Sequence, residues 1–219
     1  MAKRSKALPF KVGTEPIFGG TRYQKEIEGW QVAWESIGRH RLWCHQFRDE
    51  PKHLLCVVMF NPGSLSGDGR ELSKDDTLRI IRSALPENAA ALVLNLFTLA
   101  TPKPDVFFEQ WEDRDCCEFD ITAFRTMPID AVVFAYGDGG QDRKRNRDYN
   151  YREPVMARIA RLREAMSGFP VVKTPKELIS AMENPKHPKH WKVLKQIENV
   201  KSEISRCLRR RGLHGRSDR

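Results

Sequence analysis

Four short apolar runs set the terms on which this chain can fold: LLCVVMF at 54–60, AALVLNLF at 90–97, DAVVFAY at 130–136 and FPVVKT at 169–174. Runs of this length without polar alternation read as strands buried on both faces, the pattern of parallel strands covered by helices. The segments between them have helical character. DDTLRIIRSAL begins with acids, which the positive end of a helix favours, and repeats apolar residues at 78, 80, 81 and 85. EPVMARIARLREAM (153–166) is apolar at 155, 156, 159, 162 and 166. Further helices are predicted over 22–37, 115–126, 175–182 and 190–208, and RHRLWCHQF (39–47) reads as an antiparallel edge strand. Strand alternating with helix predicts an α/β fold, a three-layer α/β/α domain around a central four-stranded, mainly parallel sheet.

With 219 residues the chain can bury a sizeable core in one domain, here assigned to 21–208, between an N-terminal extension (1–20) and a basic C-terminal tail (209–219). No apolar run reaches the roughly 20 residues that a membrane helix needs. The N-terminus, MAKRSKALPF, is basic but lacks the apolar region of a secretory signal. A cytoplasmic monomer with no membrane partner is the expectation. The five cysteines are odd in number and form no CxxC pair, so they read as reduced thiols rather than disulfides or metal ligands.

Charge narrows the choice of partner. Lys and Arg total 38 against 29 acids, a net charge of +9. Such an excess suits a polyanion, and part of it suits solubility alone. GQDRKRNRDYNYRE (140–153) interleaves Arg143, Lys144, Arg145 and Arg147 with tyrosines, and RCLRRRGLHGRSDR (206–219) ends the chain. Each is either a solvated surface or a phosphate-contacting segment; together with the net charge they make DNA the expected partner.

In a fold of this class, ligands bind at the carboxyl ends of the strands. Three of the runs end there in small or polar sequence: NPGSLSGDG, TLATPKP and YGDGGQDRKR. The first loop has little bulk, which leaves room for a ligand and lets backbone N–H groups approach it; a plain tight turn would read similarly.

The order of these pieces resembles the uracil-DNA glycosylase superfamily. Asn61-Pro62-Gly63 after the first run looks like that superfamily's water-holding loop in its asparagine version. LVLNLFTLATPKP looks like its second strand, with Asn95 at the base-reading position. AVVFAYG is similar to its third strand, and NPKHPKHW sets His187-Pro188 where that superfamily has a histidine-proline loop. The likeness spans 54–191 and is closer still to an uncharacterised prokaryotic family with an N-P-S loop, a D-D-x-T helix start, an N-L-F strand and a late H-P. The aspartate and bulky tyrosine of the uracil enzymes' first loop are absent here.

The resemblance implies a monofunctional DNA glycosylase acting on a flipped-out base without metal or redox cofactor. Cleaving the N-glycosidic bond gives a sugar with oxocarbenium character and a base that leaves as an anion, so water needs positioning more than deprotonation. An Asn amide is no base at neutral pH, but Asn61 could hold that water. His187 would donate to the developing oxyanion. Asn95 offers a donor and an acceptor to a pyrimidine edge. Pro62, Gly63, Ser64 and Phe97 complete the expected substrate-binding set, and Asp68 either assists the water or turns the chain. Lys186, Lys189 and Trp191 flank the histidine, with Trp191 as the wedge that fills the gap left by the base.

Structural alternatives stand beside each assignment: Asn95 as an amide that satisfies loop backbone, His187 as a surface histidine, Trp191 as a core residue, Asp75 and Asp76 as a helix start. The open loop suggests a bulky modified pyrimidine of phage DNA, and hence a defence role. Two other readings are a hydrolase or transferase acting on small nucleotides or nucleosides, and a nucleic-acid-binding module without catalysis.

Overall fold

The computed structural model describes residues 18–62, 75–100, 127–138, 152–191 and 193–214. Its centre is a six-stranded sheet made of β1 (Thr21–Ile27), β2 (Trp30–Ile37), β3 (His40–Phe47), β4 (His53–Met59), β5 (Ala89–Asn95) and β6 (Ala131–Phe134), in the order β1-β2-β3-β5-β4-β6. β4 pairs in parallel with β5 and β6, whereas β1 with β2, β2 with β3 and β3 with β5 are antiparallel. The expected four-stranded, mainly parallel sheet in a three-layer sandwich is therefore corrected to a mixed sheet in which antiparallel pairings predominate.

Two tight turns account for most of the difference. The segment expected as a helix over 22–37 is the β1–β2 hairpin, because Glu28 and Gly29 both take positive φ (55° and 75°), as a two-residue hairpin turn requires. Gly38, at φ 55°, opens the next two-residue turn, pairing Ile37 with His40. These hairpins place β3 between β2 and β5, so 39–47 is a strand as expected but an interior one; β1 forms the edge. The run at 169–174 contributes a single parallel bridge, Val132 to Val171; Val171 itself is exposed, and its neighbour Val172 enters the core.

Among the described residues the helices are α1 (Asp76–Ala84), α2 (Arg152–Ala165) and α3 (Leu194–His214). α1 starts where the acids suggested: Asp75 caps it, its Oδ1 accepting from Thr77 N (3.0 Å) and Leu78 N (3.2 Å). The helix expected over 190–208 begins later and continues to His214, preceded by a 3-10 turn at Pro188–His190. The expected helix 175–182 is only a 3-10 turn, Lys176–Leu178, because the chain doubles back to bridge Ile179 with Pro185. The one expected over 115–126 lies outside the described residues.

Strand alternation sorts the core into two clusters, one on each side of the sheet. Leu55, Val57 and Met59 of β4 face α1, α3 and Trp191; Leu54, Cys56 and Val58 face α2. The buried thiols of Cys44 and Cys56 are held protonated, desolvation raising them to about 11 and about 12.

One buried acid secures the antiparallel half. Glu35 accepts from the backbone N–H of Phe18 (2.8 Å) and Gly20 (2.9 Å) through Oε1, and from Trp43 Nε1 (2.8 Å) through Oε2. Its replacement leaves three buried or half-buried donors without this acceptor. Glu35→Ala is expected to lower the unfolding free energy by about 2–4 kcal/mol, read from denaturant titration. A loss under about 0.5 kcal/mol, the scale of a surface substitution, would show that water replaces the carboxylate without penalty.

Candidate functional site

The site develops where the three parallel-paired strands end together. Met59 lies opposite Asn95 in the β4–β5 register, and Leu96 N donates to Met59 O (2.8 Å) just beyond. On the other side of β4, Ala135 N donates to Val58 O (2.8 Å). The residues that face α1 and α3 are 55, 57 and 59 in β4, 89, 91 and 93 in β5, and 131, 133 and 135 at β6. Continuing the same period of two reaches Asn95, the last residue of β5, while Asn61 and Gly137 lie just past the ends of β4 and β6.

Asn95 is the most unusual of them. It is 2 % exposed, and neither Nδ2 nor Oδ1 has a hydrogen-bond partner among the described residues. Leaving a buried amide without any partner costs about 1–3 kcal/mol, so an amide buried at this position calls for one. Asn61 is half-buried at the end of β4, and its Nδ2 donates to Pro62 O (2.9 Å), which orients the amide. Pro62 is buried behind it.

His187 arrives from far along the chain, carried by a loop locked to the end of β6. Gly137 N donates to Pro185 O (2.8 Å), and Lys186 N to Leu178 O (2.7 Å). Asp138 accepts from Ser180 Oγ (2.6 Å) and Asn184 Nδ2 (2.9 Å), so this acid holds the loop. Gly137 has a φ of 69°, and a Cβ there would meet His187 Cβ and N at 3.3 Å. The close approach that brings the histidine to the site thus requires glycine on two counts. His187 Nδ1 accepts from Lys189 N (3.3 Å), which leaves the ring proton on Nε2. Desolvation, with Lys189 and His190 alongside, lowers its pKa to about 3, so the ring is neutral near pH 7.

A fourth group escapes sequence reasoning. Arg41 of β3 is 4 % exposed, and its Nε, Nη1 and Nη2 make no hydrogen bond among the described residues. Its nearest compensation is Asp75, with Nη1 3.7 Å from Oδ2 while Oδ1 caps α1. Arg41 N donates to Thr98 O (2.9 Å), which ties this part of β3 to the segment just past Asn95. A bulge sets its direction. Glu35 pairs with Trp43 but Ser36 with Arg41, so Leu42 is the extra residue and Arg41 turns toward α1. Nothing local to RHRLW announces that bulge.

Other expected site residues are placed differently. Phe97 is fully buried in the cluster on the α2 side, with Phe60 edge-on at 5.1 Å and the Arg158 guanidinium 4.8 Å over its ring. Trp191 is a core residue, 4 % exposed, whose Nε1 donates to Lys186 O (3.2 Å); it anchors the histidine loop and cannot enter a duplex without leaving the core. Lys186 Nζ donates to Glu177 O (3.0 Å), and Lys189 is exposed. Gly63, Ser64, Asp68, Arg143, Lys144, Arg145 and Arg147 lie outside the described residues.

The neutral state of His187 is measurable. Its folded pKa lies below the ordinary 6.5, so the stability that depends on a neutral ring is present above about pH 6.5 and is lost as pH falls toward 3. The His187 ring signals, assigned in proton NMR by comparison with His187→Gln, are expected to keep neutral-imidazole shifts down to pH 5. Below pH 6.5 the wild type should lose more stability than His187→Gln does. A midpoint near 6.5 would instead mean a solvated, freely titrating ring.

A model of a family described as a protein of unknown function, DUF1643, matches residues 39–190. That span is most of the chain and contains Arg41, Asn61, Asn95 and His187. No curated protein and no solved structure matches the chain significantly.

Proposed function

We propose that this chain, which belongs to the DUF1643 family, is a monofunctional DNA glycosylase that hydrolyses the N-glycosidic bond of a flipped-out base. One observation carries the reading. Asn61, Asn95 and the loop bearing His187 converge at the ends of three neighbouring strands, with the Asn95 amide buried and unpartnered among the described residues. Those are the groups that the ordered motifs of the sequence assign to such a reaction, and they come from segments far apart in the chain.

The chemistry follows from what each group can do. Asn61 holds a water by hydrogen bonds beside the anomeric carbon; attack needs orientation, because the oxocarbenium-like sugar is already strongly electrophilic. Asn95 accepts from and donates to the base edge, which satisfies its amide and fixes the base. His187 donates from Nε2 to the carbonyl oxygen on which negative charge grows. A neutral donor suffices, and its tautomer is set in advance by the Lys189 N–H. No motif places a lysine as a Schiff-base nucleophile, so no lyase step belongs to the proposal. The net charge of +9 suits a DNA substrate, and among the described residues no helix is long and apolar enough to cross a membrane. A cytoplasmic enzyme of repair or of defence against phage DNA fits these features.

The test uses duplex DNA carrying different bases, with alkali to cut the abasic sites produced. Asn61→Ala should reduce base release at least about 100-fold while DNA affinity stays within about twofold, since positioning of this kind is worth several kcal/mol in the transition state alone. Full activity in that variant would end the assignment.

The sparse sequence after Asn61 suggests a substrate with a large polar group on the pyrimidine ring. Gly63→Tyr should then abolish release of the bulky base and spare any activity on uracil. Equal loss on both, or wild-type activity on uracil alone, would remove the bulky substrate from the proposal.

A further inference from the structure

We propose that Arg41 is a base-binding residue of this site, and that its guanidinium selects a nucleobase edge with two adjacent acceptors, as in cytosine, over the uracil type. The inference rests on the glycosylase reading for the kind of ligand, but its evidence is separate. A guanidinium keeps its charge at any physiological pH, so burial without hydrogen bonds cannot be relieved by deprotonation. Arg41 is 4 % exposed with three nitrogens lacking hydrogen bonds among the described residues, and Asp75 at 3.7 Å offsets the charge without engaging an N–H in a hydrogen bond. The Asn95 amide, on the adjacent strand and the same face of the sheet, is in the same condition. Two neighbouring strands therefore present, on one face, donors and an acceptor without hydrogen bonds among the described residues.

Charge decides what they would take. With Asp75 beside Arg41 and a neutral amide at Asn95, these groups together are close to neutral. A phosphoryl group placed there would face the Asp75 carboxylate, whereas an uncharged heterocycle would not. The geometry of the guanidinium decides further. Its parallel N–H pair matches two acceptors side by side. Cytosine offers O2 and N3 in that relation, while N3–H of uracil would point a donor at a donor. The amide of Asn95 can accept from an exocyclic amino group, which cytosine also carries.

Free bases test this without turnover. The intact protein is titrated by ligand-observed NMR with cytosine, with uracil and with inorganic phosphate. Cytosine is expected to bind at least about 10-fold more tightly than uracil, the scale of discrimination by one bidentate pair. In the wild type, cytosine should shift the Arg41 Nε–H and Asn95 Nδ2 signals in nitrogen-edited spectra, a readout that needs no variant to fold. Arg41→Lys, which keeps the charge but not the fork, should erase the preference for cytosine. Equal affinity for both bases, a preference that survives Arg41→Lys, unmoved Arg41 and Asn95 signals, or no binding of either base would each overturn the inference. Phosphate that competes for Arg41 would replace it with an anion site. Base release from duplex DNA and its loss in Asn61→Ala are scored separately, so the glycosylase reading can survive the failure of this inference, and the reverse.

Discussion

The parallel register that joins β4 to β5 on one side and to β6 on the other is the constraint on which the candidate site depends. Met59 opposite Asn95 and Val58 opposite Phe134 fix where three strands stop, and a one-residue slip would send Asn95 to the α2 side of the sheet. The pairing is rigid because its side chains are buried on both faces. Leu54 to Met59 are all within the core, as are Ala89 to Leu94. Neither row could move without uncovering apolar surface worth about 25 cal/mol per Å².

The histidine loop depends on that frame rather than on its own structure. Its segment has only two 3-10 turns, yet it is held at Gly137, Asp138 and Leu178 by hydrogen bonds and by the Trp191 indole beneath it. Each of these partners belongs to β6's exit, to the loop itself or to the core. A long excursion thus ends in a fixed place, as a donor that must meet developing charge requires. Asp138 and Trp191, which invite functional readings, hold the loop in position.

What could be read in advance was local. The uninterrupted runs of β4, β5 and β6 carry their own signal, and the acids before Leu78 mark the start of α1. Asn61 follows the β4 run directly, and Asn95 is the polar residue inside the β5 run. The β1–β2 hairpin carries a weaker signal, because β1 is mostly exposed and the aromatic spacing also suits a helix; Glu28-Gly29 is its local clue. Arg41 was beyond reach for a different reason. Its burial needs the bulge at Leu42, the pairing of β3 with β5 and the cap of α1, three facts that join residues distant in sequence.

The two halves of the mixed sheet therefore contribute unequally to stability and to the site. The antiparallel half contains Glu35, whose carboxylate accepts from Phe18, Gly20 and Trp43. It also supplies Arg41, whose guanidinium nitrogens lack hydrogen bonds among the described residues, as do both side-chain amide atoms of Asn95 in the neighbouring strand. A chain selected for stability alone would place apolar side chains at both positions, because a buried polar group without partners costs more than a well-packed hydrophobe. Both lie toward the end of the sheet where the carboxyl ends of its parallel strands leave room for a ligand. Binding a polar heterocycle there would satisfy both groups at once.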